Sequence, residues 1–245
     1  MGQKLNFIRS YFISLYGLKK LPKEKIQKDF VRVERSREEA KQAYDKMSSW
    51  YDLFSCFEKR YRNIGLEKLD VQEGEKVLEI GFGTGHCVLS LAKSVGSSGK
   101  VFGIDISEGM FQVTSSKLQK AGLSDRVELI CDDAISLPYV DQFFDAVFIC
   151  FTLELFDNPE IPQVLAECQR VLSPNGRMCV VSLNKKPKDS LMVRIYEWFH
   201  KKFPRRIDCR PIPVQEVMTN AHFTIIDKKE LSMWGLPVIV VLANK

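Results

Sequence analysis

The chain has 245 residues, 45% hydrophobic and 11% aromatic, which suits one large domain or one domain with appendages and leaves ample apolar material for a core. The net charge is +5, and no stretch approaches the ~20 apolar residues that a membrane-spanning helix needs. The start, MGQKLNFIRSYFISLYGLKK, is interrupted by Arg9 and lacks a small-residue cleavage site, so a secretory leader is not expected.

Seven cysteines carry no CxxC pair, and several lie in apolar runs, as Cys131 and Cys150 do. They read as reduced core thiols of a cytoplasmic protein. His86, His200 and His222 share no metal-ligand spacing, so no metal is expected. The charge is unevenly placed. Residues 1–41 carry 11 Lys/Arg against 5 Asp/Glu, residues 185–210 carry 9 against 3, and the remainder is acidic. Two basic segments flanking an acidic body suggest an anionic partner surface, membrane or nucleic acid.

In chain order, Leu5, Ile8, Phe12 and Leu15 repeat at helical spacing before Pro22. Residues 36–69 read as further helix, with Ser36 and Glu39 forming a capping box. The pattern then changes. KVLEI (76–80) is a short branched apolar run followed by glycines, a buried strand and a turn. Residues 86–95 form a helix, 100–105 a strand, and 107–122 a helix capped by Ser107 and Gly122. Strands at 127–131, 144–150 and 176–183 enclose a helix at 160–172. A helical stretch at 189–202 precedes FTIIDKKEL and PVIVVLA, which read as a closing antiparallel hairpin. Strands alternating with helices call for a parallel sheet covered on both faces. The expected fold is therefore α/β and Rossmann-like, a seven-stranded, mostly parallel sheet with a C-terminal antiparallel hairpin. A helical cap or appendage occupies 1–70, the main domain 71–245, and a cap insertion 184–213.

The main motif is Glu79-Ile80-Gly81-Phe82-Gly83-Thr84-Gly85. Glycines let backbone approach a ligand closely. The helix that follows turns its free N–H groups toward the crevice at the carboxyl edge of the sheet. Asp105 ends the next strand, where a carboxylate accepts the two ribose hydroxyls of an adenosine. A dinucleotide fingerprint needs GxGxxG, but His86 follows Gly85, so the spacing is GxGxG. That combination points to S-adenosylmethionine (SAM), and Glu79 suits its ammonium end.

VLEIGFGTG, VFGID, CDDA, FDAVFICFTLELF and LSPNGRMCVVSL match in order the motifs of class I SAM-dependent methyltransferases, over roughly residues 40–183. Within that class the chain most resembles the ubiquinone/menaquinone-biosynthesis C-methyltransferases and related small-molecule and phospholipid methyltransferases. The upstream AYDKMSSWYD resembles the helix that precedes the SAM motif there. The resemblance implies that Gly81, Gly83 and Gly85 line the methionine moiety and that Asp105 holds the ribose. It implies that Ile106 packs on adenine, that Asp133 with Ala134 meets the adenine amino group, and that Phe151 sits near the methyl-donor end. Tyr44 and Tyr51 would close over the cofactor, leaving S-adenosylhomocysteine as product. Asp132 adjoins Asp133, and the motif alignment favours the latter. Where the quinone enzymes carry an Asn-rich segment, this chain has Phe151-Thr152-Leu153-Glu154-Leu155-Phe156.

Methyl transfer needs alignment in a dry pocket, and a base only if the nucleophile starts protonated. Glu154, just past strand four, is the candidate to orient a substrate or accept a proton. The insertion carries Leu191, Ile195, Trp198 and Phe199 on one helical face with a basic rim. That combination fits a lipid-like or prenylated aromatic acceptor and an enzyme resting on an anionic membrane. An RNA methyltransferase is disfavoured, because no RNA-binding module is present. A non-enzymatic SAM-binding protein is the remaining alternative.

Overall fold

The computed structural model describes residues 32–33, 36–48, 56–186, 191–202 and 209–245. The expected N-terminal helix before Pro22, Tyr51, and the basic residues 205 and 206 lie outside them. No helix among the described residues is long and apolar enough to cross a membrane.

Seven strands form one sheet: β1 (Lys76–Ile80), β2 (Lys100–Asp105), β3 (Val127–Cys131), β4 (Phe144–Cys150), β5 (Leu172–Leu183), β6 (Thr224–Met233) and β7 (Leu236–Asn244). Their spatial order is β3-β2-β1-β4-β5-β7-β6. The first five pair in parallel, and β7 runs antiparallel between β5 and β6. The expected sheet and closing hairpin are therefore present. The central strands are buried on both faces, which is why they read as continuous apolar runs and do not alternate. β6 ends the sheet with Asp227, Lys228, Lys229 and Glu230 exposed, a charged edge that discourages further strand pairing.

The helices are α1 (Arg37–Met47), α2 (Lys59–Leu69), α3 (His86–Ser94), α4 (Glu108–Ala121), α5 (Ile161–Val171), α6 (Leu191–Lys202) and α7 (Val214–Asn220). The Ser36–Glu39 capping box is formed. Over 36–69, where helix was expected, the described residues form α1 and α2, with a 3-10 turn at Cys56–Glu58 directly before the second. α7 was not expected. Its seven residues are too few for a periodic signal to stand out. β5 starts earlier than expected because Leu172 pairs with Phe144 ahead of a register shift.

Two arginines tie distant segments together. Arg177 of β5 donates to the carbonyls of Leu69 and Asp70 at 2.6 and 2.8 Å and pairs with both Glu75 oxygens at 2.8 Å. That fixes the end of α2 against the sheet. Arg210 is wholly buried and donates to the carbonyls of Glu154 and Phe156 and to Asn158 Oδ1. It anchors the chain after α6 to the loop that follows β4.

Gly65 is the point where α2 lies closest to the sheet. A Cβ there would stand 2.5 Å from Val181 Cγ2 and 3.0 Å from the Phe148 ring. Alanine would gain roughly 1 kcal/mol of helix propensity but overpack the interface by about 1–3 kcal/mol. Gly65→Ala is therefore expected to lower stability by about 1 kcal/mol in urea denaturation, against the propensity ranking.

Candidate active site

β1 lies between β2 and β4, so the strand order reverses at its carboxyl end, and a crevice opens there. The residues after β1 turn through three left-handed glycines, Gly81, Gly83 and Gly85, with φ of +73°, +50° and +81°. L-residues with a Cβ rarely adopt this conformation. A Cβ on Gly81 would collide with the Thr152 side chain, and one on Gly85 would come within 2.5 Å of Thr114. A Cβ on Gly83 would meet nothing within 4 Å, and Gly83 lines the cavity.

Asp105, at the end of β2, locks this turn. The Gly83 N–H donates to Oδ2 at 2.8 Å, and the Ser107 N–H donates to Oδ1 at 3.0 Å. Burial raises its pKa to about 6 despite these bonds. Thr114 Oγ1 donates to the Gly83 carbonyl at 2.7 Å and holds the turn from α4. α4 is positioned in turn by Asp45 of α1, which accepts from Ser107 Oγ at 2.6 Å and from the Gly109 N–H at 3.0 Å. Burial alone would raise the Asp45 pKa, but these bonds outweigh it and leave the group below its usual value. A carboxylate here also suits the positive end of the helix.

The cavity over the glycine turn has a volume of about 340 Å³. Of the residues singled out from the sequence, Tyr44, Glu79, Gly81, Gly83, Asp105, Ile106, Ala134 and Phe151 line it. Gly85 is set back from the wall as the N-cap of α3. Asp132 is on the wall in place of Asp133. Asp133 accepts from the Ile135 N–H at 3.0 Å and pairs with Arg37, itself a wall residue. Phe151 is buried with φ +50°, a strained backbone for an aromatic residue, and stacks edge-on against Tyr61 at 6.1 Å.

Glu154 does not reach the cavity, which corrects the expectation drawn for it. It is wholly buried, and Oε1 accepts the Leu183 N–H at 3.1 Å. The 3-10 turn Leu153–Leu155 directs the carboxylate inward toward the end of β5 and away from the crevice. Burial raises its pKa to about 7.

The cavity also contains residues that sequence reasoning missed. Glu58, at the end of the 3-10 turn, and Arg62, one helical turn on, form an ion pair at 3.5 Å on its wall. Burial raises the Glu58 pKa to about 7, even with Arg62 beside it. Their i, i+4 spacing was visible, but such spacing usually marks a solvated helix face. Glu79 is 1% exposed, burial holds its pKa well above the usual range, and its Oε2 has no hydrogen-bond partner. Among the described residues, no group of three or more His, Cys, Asp or Glu side chains could hold a metal ion.

These features fit SAM chemically. A bare Cα faces the cavity at Gly83, Glu79 offers an unmet acceptor for an ammonium, and each Asp105 oxygen keeps a lone pair for a hydroxyl. The strand order and glycine turn define a class I, SAM-dependent methyltransferase fold. Residues 77–176 match the family model described as a methyltransferase domain. The chain is 33% identical over 172 residues to a demethylmenaquinone methyltransferase of a Geobacillus species, covering 70% of each chain. It is 34% identical over 161 residues to the demethylmenaquinone methyltransferase of Lactobacillus johnsonii, covering 66% of this chain and 64% of that relative, just under two thirds of its length. A solved structure of the Burkholderia thailandensis 1,6-didemethyltoxoflavin-N1-methyltransferase with bound S-adenosylhomocysteine superposes with a TM-score of 0.63 at 18% identity, covering 84% of this chain and 88% of that one. The chain belongs to the family of the demethylmenaquinone methyltransferases.

Two stability predictions follow from this geometry. Gly81→Ala is expected to cost about 3 kcal/mol, from the Thr152 collision and the positive φ, whereas Gly83→Ala costs only about 1 kcal/mol, from φ alone. Urea titration of both variants checks the order. The second concerns Glu154, whose folded pKa of about 7 lies above its unfolded value. The stability this group lends is full below about pH 4.3 and is lost as pH rises through about 7. Glu154→Gln is therefore expected to gain on the wild type between about pH 5 and pH 8, by up to about 3 kcal/mol. Melting curves at both pH values test this, and a pH-independent difference would contradict it.

Proposed function

We propose that the chain is a SAM-dependent methyltransferase whose acceptor is a lipid-like small molecule, met at an anionic membrane surface. The observation that carries the reading is the open, Asp105-locked glycine turn under a cavity with buried carboxylates. SAM, when bound, supplies a methyl group on a sulfonium, an electrophile that needs no metal.

Gly81 and Gly83 would lie along the methionine moiety, and Glu79 would take its ammonium. Asp105 would hold the ribose hydroxyls, Ile106 and Ala134 would flank adenine, and Phe151 and Tyr44 would cover the reacting end. Asp132 stands on the wall where Asp133 was expected, so Asp132 is the nearer partner for the adenine amino group. Asp133 would serve only after releasing Arg37. Glu58 replaces Glu154 as the proton acceptor. It lines the cavity, Arg62 fixes its position, and a pKa near 7 suits a base at neutral pH.

The curated relatives named for demethylmenaquinone support a quinone-like acceptor, an apolar body with an ionisable aromatic head. Such an acceptor loses a proton as it gains a methyl group, which is the work assigned to Glu58. Phe151, Leu155 and Phe156 line the cavity with apolar side chains, in a segment that differs from the Asn-rich one of the quinone enzymes. The acceptor class is therefore kept broader than menaquinone precursors.

Incubation with labelled SAM, a total lipid extract and a set of small aromatic acceptors tests the reading. Label is expected in the lipid fraction; label confined to the small aromatic acceptors, or to nothing, would contradict it. Asp105→Ala is expected to weaken SAM binding by roughly tenfold or more in calorimetry, from two lost hydrogen bonds to a charged group. Glu58→Gln is expected to lower kcat by roughly 100-fold while leaving SAM affinity within about twofold.

A further inference from the structure

α6 carries apolar side chains on two faces, one buried and one largely exposed. Val193 and His200 are buried beneath it, and Tyr196 packs on the core. Met192, Ile195 and Trp198 lie along the outward stripe, and Trp198 is 53% exposed. Lys202 extends the stripe by one turn and sits 4.8 Å from the Trp198 ring. Solvated helices in globular proteins are ordinarily polar on the outer face.

The patch continues onto the β6–β7 hairpin. Its two-residue turn is Trp234-Gly235, both at positive φ, with Trp234 65% exposed. Asn or Gly is the usual choice there, and a bulky aromatic in left-handed backbone breaks a local rule. A Cβ at Gly235 would come within 3.0 Å of Met192, which brings hairpin and helix side by side. Phe57, 53% exposed, meets Trp234 edge-on with ring centroids 4.8 Å apart. Its neighbour Glu58 lines the cavity, so the patch runs to the cavity wall.

We propose that this face, made by Phe57, Met192, Ile195, Trp198 and Trp234, docks the protein on an anionic lipid bilayer. The inference rests on the reading of an enzyme that works at a membrane surface, and it names the surface. Charge selects the occupant. Residues 185–210, which include α6, carry 9 Lys/Arg against 3 Asp/Glu, and Arg194 and Lys202 are exposed beside the apolar stripe. Tryptophan is the residue most at home where headgroups meet acyl chains, and flanking cations add attraction to anionic lipid. A lipid-like acceptor in that bilayer would lie next to Phe57, one residue from the cavity.

Flotation of the full chain tests this. Wild type is expected to float with phosphatidylcholine vesicles containing roughly a third phosphatidylglycerol, and much less with phosphatidylcholine alone. The triple variant Ile195→Gln, Trp198→Gln, Trp234→Gln is expected to bind roughly tenfold more weakly, with unchanged melting and SAM titration. Arg194→Glu with Lys202→Glu keeps the apolar residues and is expected to lose only the preference for anionic lipid. Vesicle binding by wild type that the triple variant retains would overturn this face and leave the membrane reading standing. A wild type that ignores all vesicles would overturn both. So would a wild-type dimer that ignores vesicles and dissociates in the triple variant, since the patch would then join two copies of the chain. SAM titration of the wild type reports separately on the enzyme reading.

Discussion

The carboxylate of Asp105 closes the turn on which the site is built. It ends β2, and its two oxygens accept N–H groups from Gly83 on one side and Ser107 on the other. One group therefore sets both the loop after β1 and the start of α4. Asp45 reaches the same helix start from α1, so α1 is registered to the glycine turn through a second carboxylate. Tyr44, next to Asp45 on α1, stands on the cavity wall. Each anchor is charge-assisted and at least partly shielded from water, where such bonds are strongest.

Three carboxylates, Glu58, Glu79 and Asp105, share the cavity wall, and burial raises the pKa of each. Arg62 is the cation nearest the first of them. A cavity with excess buried negative potential and an unmet acceptor is arranged for a cationic ligand. SAM carries both a sulfonium and an ammonium, so the electrostatics and the glycine turn favour the same molecule by independent routes.

Much of this architecture was legible in the residues. Short runs such as KVLEI and FDAVFIC are branched, apolar and bounded by turn signals, and burial on both faces is what makes such strands read clearly. Asp105 and the three glycines were visible for a similar reason, because a left-handed turn and a strand-end acid each restrict residue choice. Glu154 shows where the reading stopped. Its position after β4 was correctly inferred, but a one-turn 3-10 segment reverses the direction of the side chain, and no sequence pattern reports that. Glu58 and Arg62 were overlooked because their spacing is that of an ordinary surface pair. Only the packing of α2 against β4, β5 and β7 brings them to the cavity wall.

The central claim is that residues 79–86, 104–107 and 132–134 form one SAM-binding surface. Hydrogen–deuterium exchange with and without S-adenosylhomocysteine tests it most directly. The expected result is slowed exchange of backbone amides in those three segments, with the buried amides around Glu154 unchanged. Equal exchange in the glycine turn with and without saturating ligand, or protection confined to other segments, would contradict the account.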